Sequence, residues 1–93
     1  SVHAVALRYH CMSPLVAHGV NLGLMDASAI EQDAAFEAGL LFARSEGIIP
    51  APESTHAVAG AIAHARQAAD GEVIVLGLSG NGVLDLPAYA QYV

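Results

Sequence analysis

Six consecutive residues, Val73-Ile74-Val75-Leu76-Gly77-Leu78, form a run with no polar side chain in it, and the Gly-rich turn Ser79-Gly80-Asn81-Gly82 follows directly. A half-buried strand alternates apolar and polar residues. A run that is apolar throughout, β-branched at three of its positions and closed by glycines fits a strand covered on both faces. The pattern therefore predicts a central strand of a parallel sheet. Such a strand cannot stand alone. It demands neighbouring strands, and helices packed over both faces of the sheet.

The rest of the chain supplies candidates for both. Ser13-Pro14 opens a helix, with Ser13 as N-cap, Pro14 at the first helical position and Gly23 as the stop. Leu24 to Ile30 is expected to be a short strand or a strand-like connection. Asp33 is expected to cap a longer helix running to about Ser45, with Phe36, Leu40 and Ala43 on one face and Gly47 ending it. Ile48-Ile49 is a two-residue buried strand stopped by Pro50 and Pro52. Ser54 or Thr55 caps the next helix, to about Ala69, whose stripe is Ala57, Val58, Ala61, Ile62 and Ala65. Asp70-Gly71 turns the chain into the Val73–Leu78 strand, and Asp85 caps a last short helix with Pro87 in its first turn. The alternation predicts a single α/β domain over residues 1–93, with a short, mostly parallel sheet of about three strands and flanking helices.

Composition enters because it strains that picture. Of the 93 residues, 55% are hydrophobic and 13% are charged, whereas ordinary globular domains carry about 25% charged residues. A domain of this size hides only about 60–65% of its unfolded surface, so more apolar side chains are present than one small core accommodates. Part of the surface is expected to meet a partner: a homo-oligomer, or the remainder of a larger fold. The nine acidic residues against only Arg8, Arg44 and Arg66 leave no basic face for nucleic acid or an anionic membrane. The single cysteine, Cys11, excludes an internal disulfide framework and suits a cytoplasmic setting. No apolar run reaches membrane-spanning length, and no secretory signal pattern opens the chain.

The turn after the predicted strand is where α/β proteins bind ligands, and its small residues let a backbone come close to one. A tight strand-to-helix turn needs glycine for its dihedrals alone, so spacing leaves both readings open. Its order, G-x-x-G-x-G, departs from the dinucleotide fingerprint G-x-G-x-x-G. A nucleophile elbow needs glycine where Asn81 stands and a histidine after the acid, and no histidine follows His64. The histidines are not expected to bind metal: His56 and His64 lie about 12 Å apart along a helix, too far to share an ion, and the spacing leaves His3 and His10 unconstrained. Glu46 and Glu53 flank the proline turn; as plain residues they are a solvated helix end and a first-turn dipole partner.

Three segments carry a resemblance. Glu46-Gly47-Ile48-Ile49-Pro50-Ala51-Pro52-Glu53-Ser54-Thr55-His56-Ala57 is similar to the E-G-I-I-P-A and E-S-S-H-A signature of tryptophan synthase beta subunits. Leu78-Ser79-Gly80-Asn81-Gly82 resembles that family's L-S-G-x-G turn. Leu7-Arg8-Tyr9-His10 resembles the L-R-Y-H segment of its second, divergent branch. The segments occur in family order and span almost the whole chain. The resemblance implies the C-terminal part of a type II pyridoxal phosphate (PLP) fold, two α/β domains with the cofactor between them.

What the resemblance implies for single residues follows position by position. Ser79 matches the serine whose hydroxyl faces the pyridine nitrogen of PLP, which leaves that nitrogen unprotonated and favours β-elimination and replacement. Gly80 belongs to the same turn, and Glu46 matches a glutamate near the cofactor ring. Ala6 stands where the family has glycine at a cofactor-facing turn. Arg8 takes the place of the main branch's substrate-gating aspartate. Tyr9 and Cys11 match residues whose backbone carbonyls help to hold a monovalent cation, the one metal role implied. Cys11 and Asn81 also depart from the family pattern.

The parent family is a PLP-dependent lyase that replaces the hydroxyl of serine with indole. That chemistry needs a lysine amine, and these 93 residues contain no lysine. No catalytic residue is therefore assigned, PLP is not expected to bind this chain alone, and the chain is expected to be inactive by itself. The alternative is an independent interaction or small-anion-binding α/β module built on the Ser79–Gly82 turn.

Overall fold

The structure is a computed structural model, and it describes residues 13–92. Four α-helices follow one another: α1 (Pro14–Asn21), α2 (Gln32–Glu46), α3 (Pro52–Gln67) and α4 (Leu86–Tyr92), the last entered through a 3-10 turn at Val83–Asp85. Among the described residues there is no β-strand. The expected α/β domain with a parallel sheet is thus corrected to a helical arrangement.

The three expected strands fail for one physical reason: none pairs along its length with a second backbone among the described residues. The segment Val73–Leu78 makes no backbone hydrogen bond to another described residue. Ile48-Ile49 is two residues long and is followed by Pro50, which has no N–H to give. A single bond, from Gly82 N–H to Ile49 O at 3.0 Å, joins that stretch to the glycine turn. Leu24–Ile30 leaves α1 after Leu24 N–H closes onto Gly19 O at 3.0 Å, and among the described residues it carries no ladder either. An apolar run states what a segment can bury, but a strand needs a second backbone about 4.8 Å away.

The helices form close to where the sequence puts them. α1 starts at Pro14 after Ser13, whose hydroxyl makes no capping bond. α2 begins at Gln32 after Glu31, so Asp33 lies in the first turn rather than at the cap. Gly47 closes it in the left-handed region at φ 71°, its N–H on Ala43 O at 2.9 Å. α3 starts earlier than expected: Ala51 is the N-cap and Pro52 the first helical residue, which places Ser54 and Thr55 inside the helix. It ends at Gln67, and Ala68 and Ala69 lie beyond it.

The core lies where α2 meets α3, with α4 closing one side. Ala35, Phe36, Ala38, Ala51, Val58 and Tyr89 are buried, and Thr55, Pro50 and Pro52 are the largest fully enclosed side chains. Phe36 meets Tyr89 edge to face at 5.2 Å and stacks on Tyr92 at 5.4 Å. Gly39 is what lets the helices approach: a Cβ there would lie 2.5 Å from Thr55 Cγ2 and 2.9 Å from the Tyr89 hydroxyl. No helix among the described residues is long and apolar enough to cross a membrane.

Candidate functional site

The first turn of α3 and the glycine turn 79–82 are strapped together, although 25 residues of chain separate Ser54 from Ser79. Ser54 Oγ donates to the Ser79 carbonyl oxygen at 2.6 Å, and the two hydroxyl oxygens lie 3.5 Å apart. Gly82 N–H donates to Ile49 O. Gly82 also passes so close to the Pro50 carbonyl that a Cβ there would overlap it, with Ile49 O 2.8 Å away. Gly80 sits at φ 73°, where side chains are strained, and its Cβ position is 3.2 Å from the Ala51 methyl. Gly80 thus serves backbone geometry, whereas Gly82, at φ −84°, serves close approach alone.

From the other side, Tyr89 of α4 donates its hydroxyl to Pro50 O at 2.5 Å. Burial, with Asp85 and Glu53 nearby, pushes the Tyr89 phenol up to about 12. Thr55 donates to Pro52 O at 2.5 Å, and His56 Nδ1–H bonds the same carbonyl at 3.0 Å. Among the described residues, no buried side-chain oxygen or nitrogen lacks a hydrogen-bond partner. The strap is a satisfied polar network around an otherwise apolar joint.

The residues singled out from sequence fall in different places. Ser79 and Gly80 sit on the strapped turn, both exposed. Glu46 is exposed at the last residue of α2, on the wall of a separate groove, and shares no hydrogen bond with Ser79 among the described residues. That groove, about 400 Å³, is floored by Leu41, Phe42, Val58, Ile62, Ile74 and Leu76. Ala6, Arg8, Tyr9 and Cys11 lie outside the described residues. Among the described residues, no group of three or more His, Cys, Asp or Glu is arranged to hold a metal ion. Ser54, expected as a helix cap, is instead the partner of Ser79. The sequence does carry a signal for this: with Pro52 at the first helical position, Ser54 falls two residues inside.

No family model matches the chain. Curated relatives do. Tryptophan synthase beta chain 2 of Thermotoga maritima is 54% identical over 91 residues, covering 95% of this chain and 22% of that protein. Tryptophan synthase beta chain 2 of Methanothermobacter thermautotrophicus is 47% identical over 95 residues, covering 99% and 22%. Tryptophan synthase beta chain 1 of Aeropyrum pernix is 54% identical over 86 residues, covering 92% and 20%. The chain is thus similar to one segment of a longer kind of protein, spanning about a fifth of the length of the relatives it matches. It belongs with the tryptophan synthase beta chains, and it corresponds to their C-terminal part.

Proposed function

We propose that this segment forms one wall of the PLP site of a tryptophan synthase beta-type enzyme and contributes no catalysis on its own. The observation that carries this reading is the strapped Ser79–Gly82 turn, in a chain 45–54% identical to the beta chains over most of its length. The turn suits the group. Its side-chain donors, Ser79 and Asn81, are neutral, as a neutral nitrogen acceptor requires. In this reading PLP, when bound, supplies an electron sink for replacing the serine hydroxyl with indole. The Ser79 hydroxyl donates to the ring nitrogen and keeps it uncharged. Gly80 would let the backbone approach, and Glu46, on the wall of the neighbouring groove, would have the place near the ring that the resemblance gives it. The roles proposed for Ala6, Arg8, Tyr9 and Cys11 are those of the resemblance: a cofactor-facing turn, substrate gating and carbonyl ligation of a monovalent cation.

The anion-binding alternative is less well supported. The N–H groups of Gly82, Val83 and Asp85 are spent on Ile49 O, Asn81 Oδ1 and Gly82 O. They are not turned toward a common point, as a phosphate cradle requires.

The proposed partner is the remainder of the parent fold, with self-association as the remedy when that is absent, because the 400 Å³ groove and the run beside it leave apolar surface in water. Sedimentation at micromolar concentration is expected to show a dimer or larger species, and a well-folded 9.5 kDa monomer overturns this part. The functional reading is tested by building this sequence into the Thermotoga maritima chain in place of its matching segment. The chimera is expected to bind PLP and form tryptophan from serine and indole, whereas the 93-residue chain alone is not. Turnover by the isolated chain sinks the proposal, as does a folded chimera that leaves PLP unbound.

A further inference from the structure

Ser54 behaves unlike an ordinary serine of a first helical turn. Such a serine usually bonds backbone within its own turn, and α3 has no side-chain capping bond. Its neighbour Thr55 makes the local bond, to Pro52 O. Ser54, only 4% exposed, instead reaches to the carbonyl of Ser79 at 2.6 Å. A hydroxyl has one hydrogen to donate. With that hydrogen committed to the Ser79 carbonyl, any bond across the 3.5 Å between the two hydroxyl oxygens must run from Ser79 to Ser54.

We infer that Ser54 is a positioning residue that both anchors the Ser79 turn and sets the direction of its hydrogen bonding, so that Ser79 presents a donor. The inference rests on the proposed role of Ser79 toward the PLP ring nitrogen, and it adds a reason for that role. Ser54 can accept from Ser79 but cannot donate to it. The Ser79 hydrogen is therefore held loosely by a long contact and is free to move to a better acceptor. A nitrogen in the site would take it, and Ser54 could not compete as a donor. The same bond keeps the turn against α3 together with Gly82 N–H on Ile49 O, so loss of one should loosen the other.

Two measurements test this, and they separate it from the cofactor reading. In the 93-residue chain, Ser54→Ala is expected to speed amide hydrogen exchange at Gly82 by roughly tenfold, the loss of one bond. Amides of α2 around Phe36 should be unchanged, and Ser54→Thr, which keeps the hydroxyl, should restore protection. Unchanged exchange at Gly82 overturns the anchor whatever the cofactor does. In the Thermotoga chimera, Ser54→Ala should shift the absorption spectrum of bound PLP and lower kcat more than it raises KM, with Ser54→Thr recovering both. A normal spectrum and kcat in a folded Ser54→Ala chimera overturn the control of Ser79. Failure of the unsubstituted chimera to bind PLP overturns the cofactor reading instead, and the exchange result then judges the anchor alone.

Discussion

The stretch around Phe36 on α2 and the run Val73–Leu78 are both rich in large apolar side chains, yet they end in opposite surroundings. Phe36 is 2% exposed and touches two aromatic rings. Val73 and Val75 are 84% and 90% exposed, and the run has no backbone partner among the described residues. Hydrophobicity does not separate the two; geometry does. A helix satisfies its own backbone and needs only a face to bury, which α3 and α4 provide. A strand must find another backbone before its side chains count for anything.

The sharpest way to break the contrast is to empty the buried side. Phe36→Ala should destabilise the chain by about 3–5 kcal/mol, because it removes both ring contacts and leaves a cavity between α2 and α4. Urea unfolding followed by circular dichroism measures this. A cost below about 1 kcal/mol would mean that the aromatic cluster is not the centre of the fold.

The next effect lies at the joint between the two regions. Gly82→Ala puts a methyl into the Pro50 carbonyl and against Ile49 O. The backbone must move, at a cost of about 1–3 kcal/mol. The same unfolding experiment reads it, and exchange at Gly82 should rise with it.

Tyr89→Phe comes next, at about 1–1.5 kcal/mol, because the Pro50 carbonyl loses its hydroxyl donor while the ring packing survives. Tyr89 also predicts a pH dependence. Its folded value, about 12, lies above the ordinary 10, so the folded chain holds the proton more tightly than the unfolded one. That contribution is complete below pH 10 and is lost as pH rises from 10 through 12. Thermal unfolding between about pH 9 and 12 should show a fall in stability that Tyr89→Phe reduces.

The smallest effect belongs to the exposed run. Val75→Thr should change the stability of the isolated chain by less than about 0.5 kcal/mol, since little apolar surface is buried there. In the Thermotoga chimera the same substitution should cost more, if the added chain covers the run. Equal effects in the two settings would remove the proposed partner surface.

Much of this chain is legible in its residues alone. Pro14, Gly23 and Gly47 punctuate helices through restrictions that belong to single residues, fixed φ for proline and the left-handed region for glycine, so those boundaries can be read directly, whereas Pro52, expected to stop a strand, instead opens α3. The helical period of α2 is also plain, because a helix carries its periodicity in its own sequence, but of the expected stripe only Phe36 is buried, and the buried face runs through Ala35, Phe36, Ala38 and Gly39. The Ser79-Gly80-Asn81-Gly82 turn and the Glu46–Ala57 signature stand out as motifs, and with them the kinship to the beta chains. Tertiary structure decides the rest. That Val73–Leu78 has no ladder among the described residues depends on which backbones lie near it, a property of pairs of segments that no single run encodes. That Ser54 bonds Ser79 rather than its own helix end depends on the packing of α3 against a turn 25 residues away. Local residues set local dihedrals, whereas contacts distant in sequence form only when packing brings both partners together.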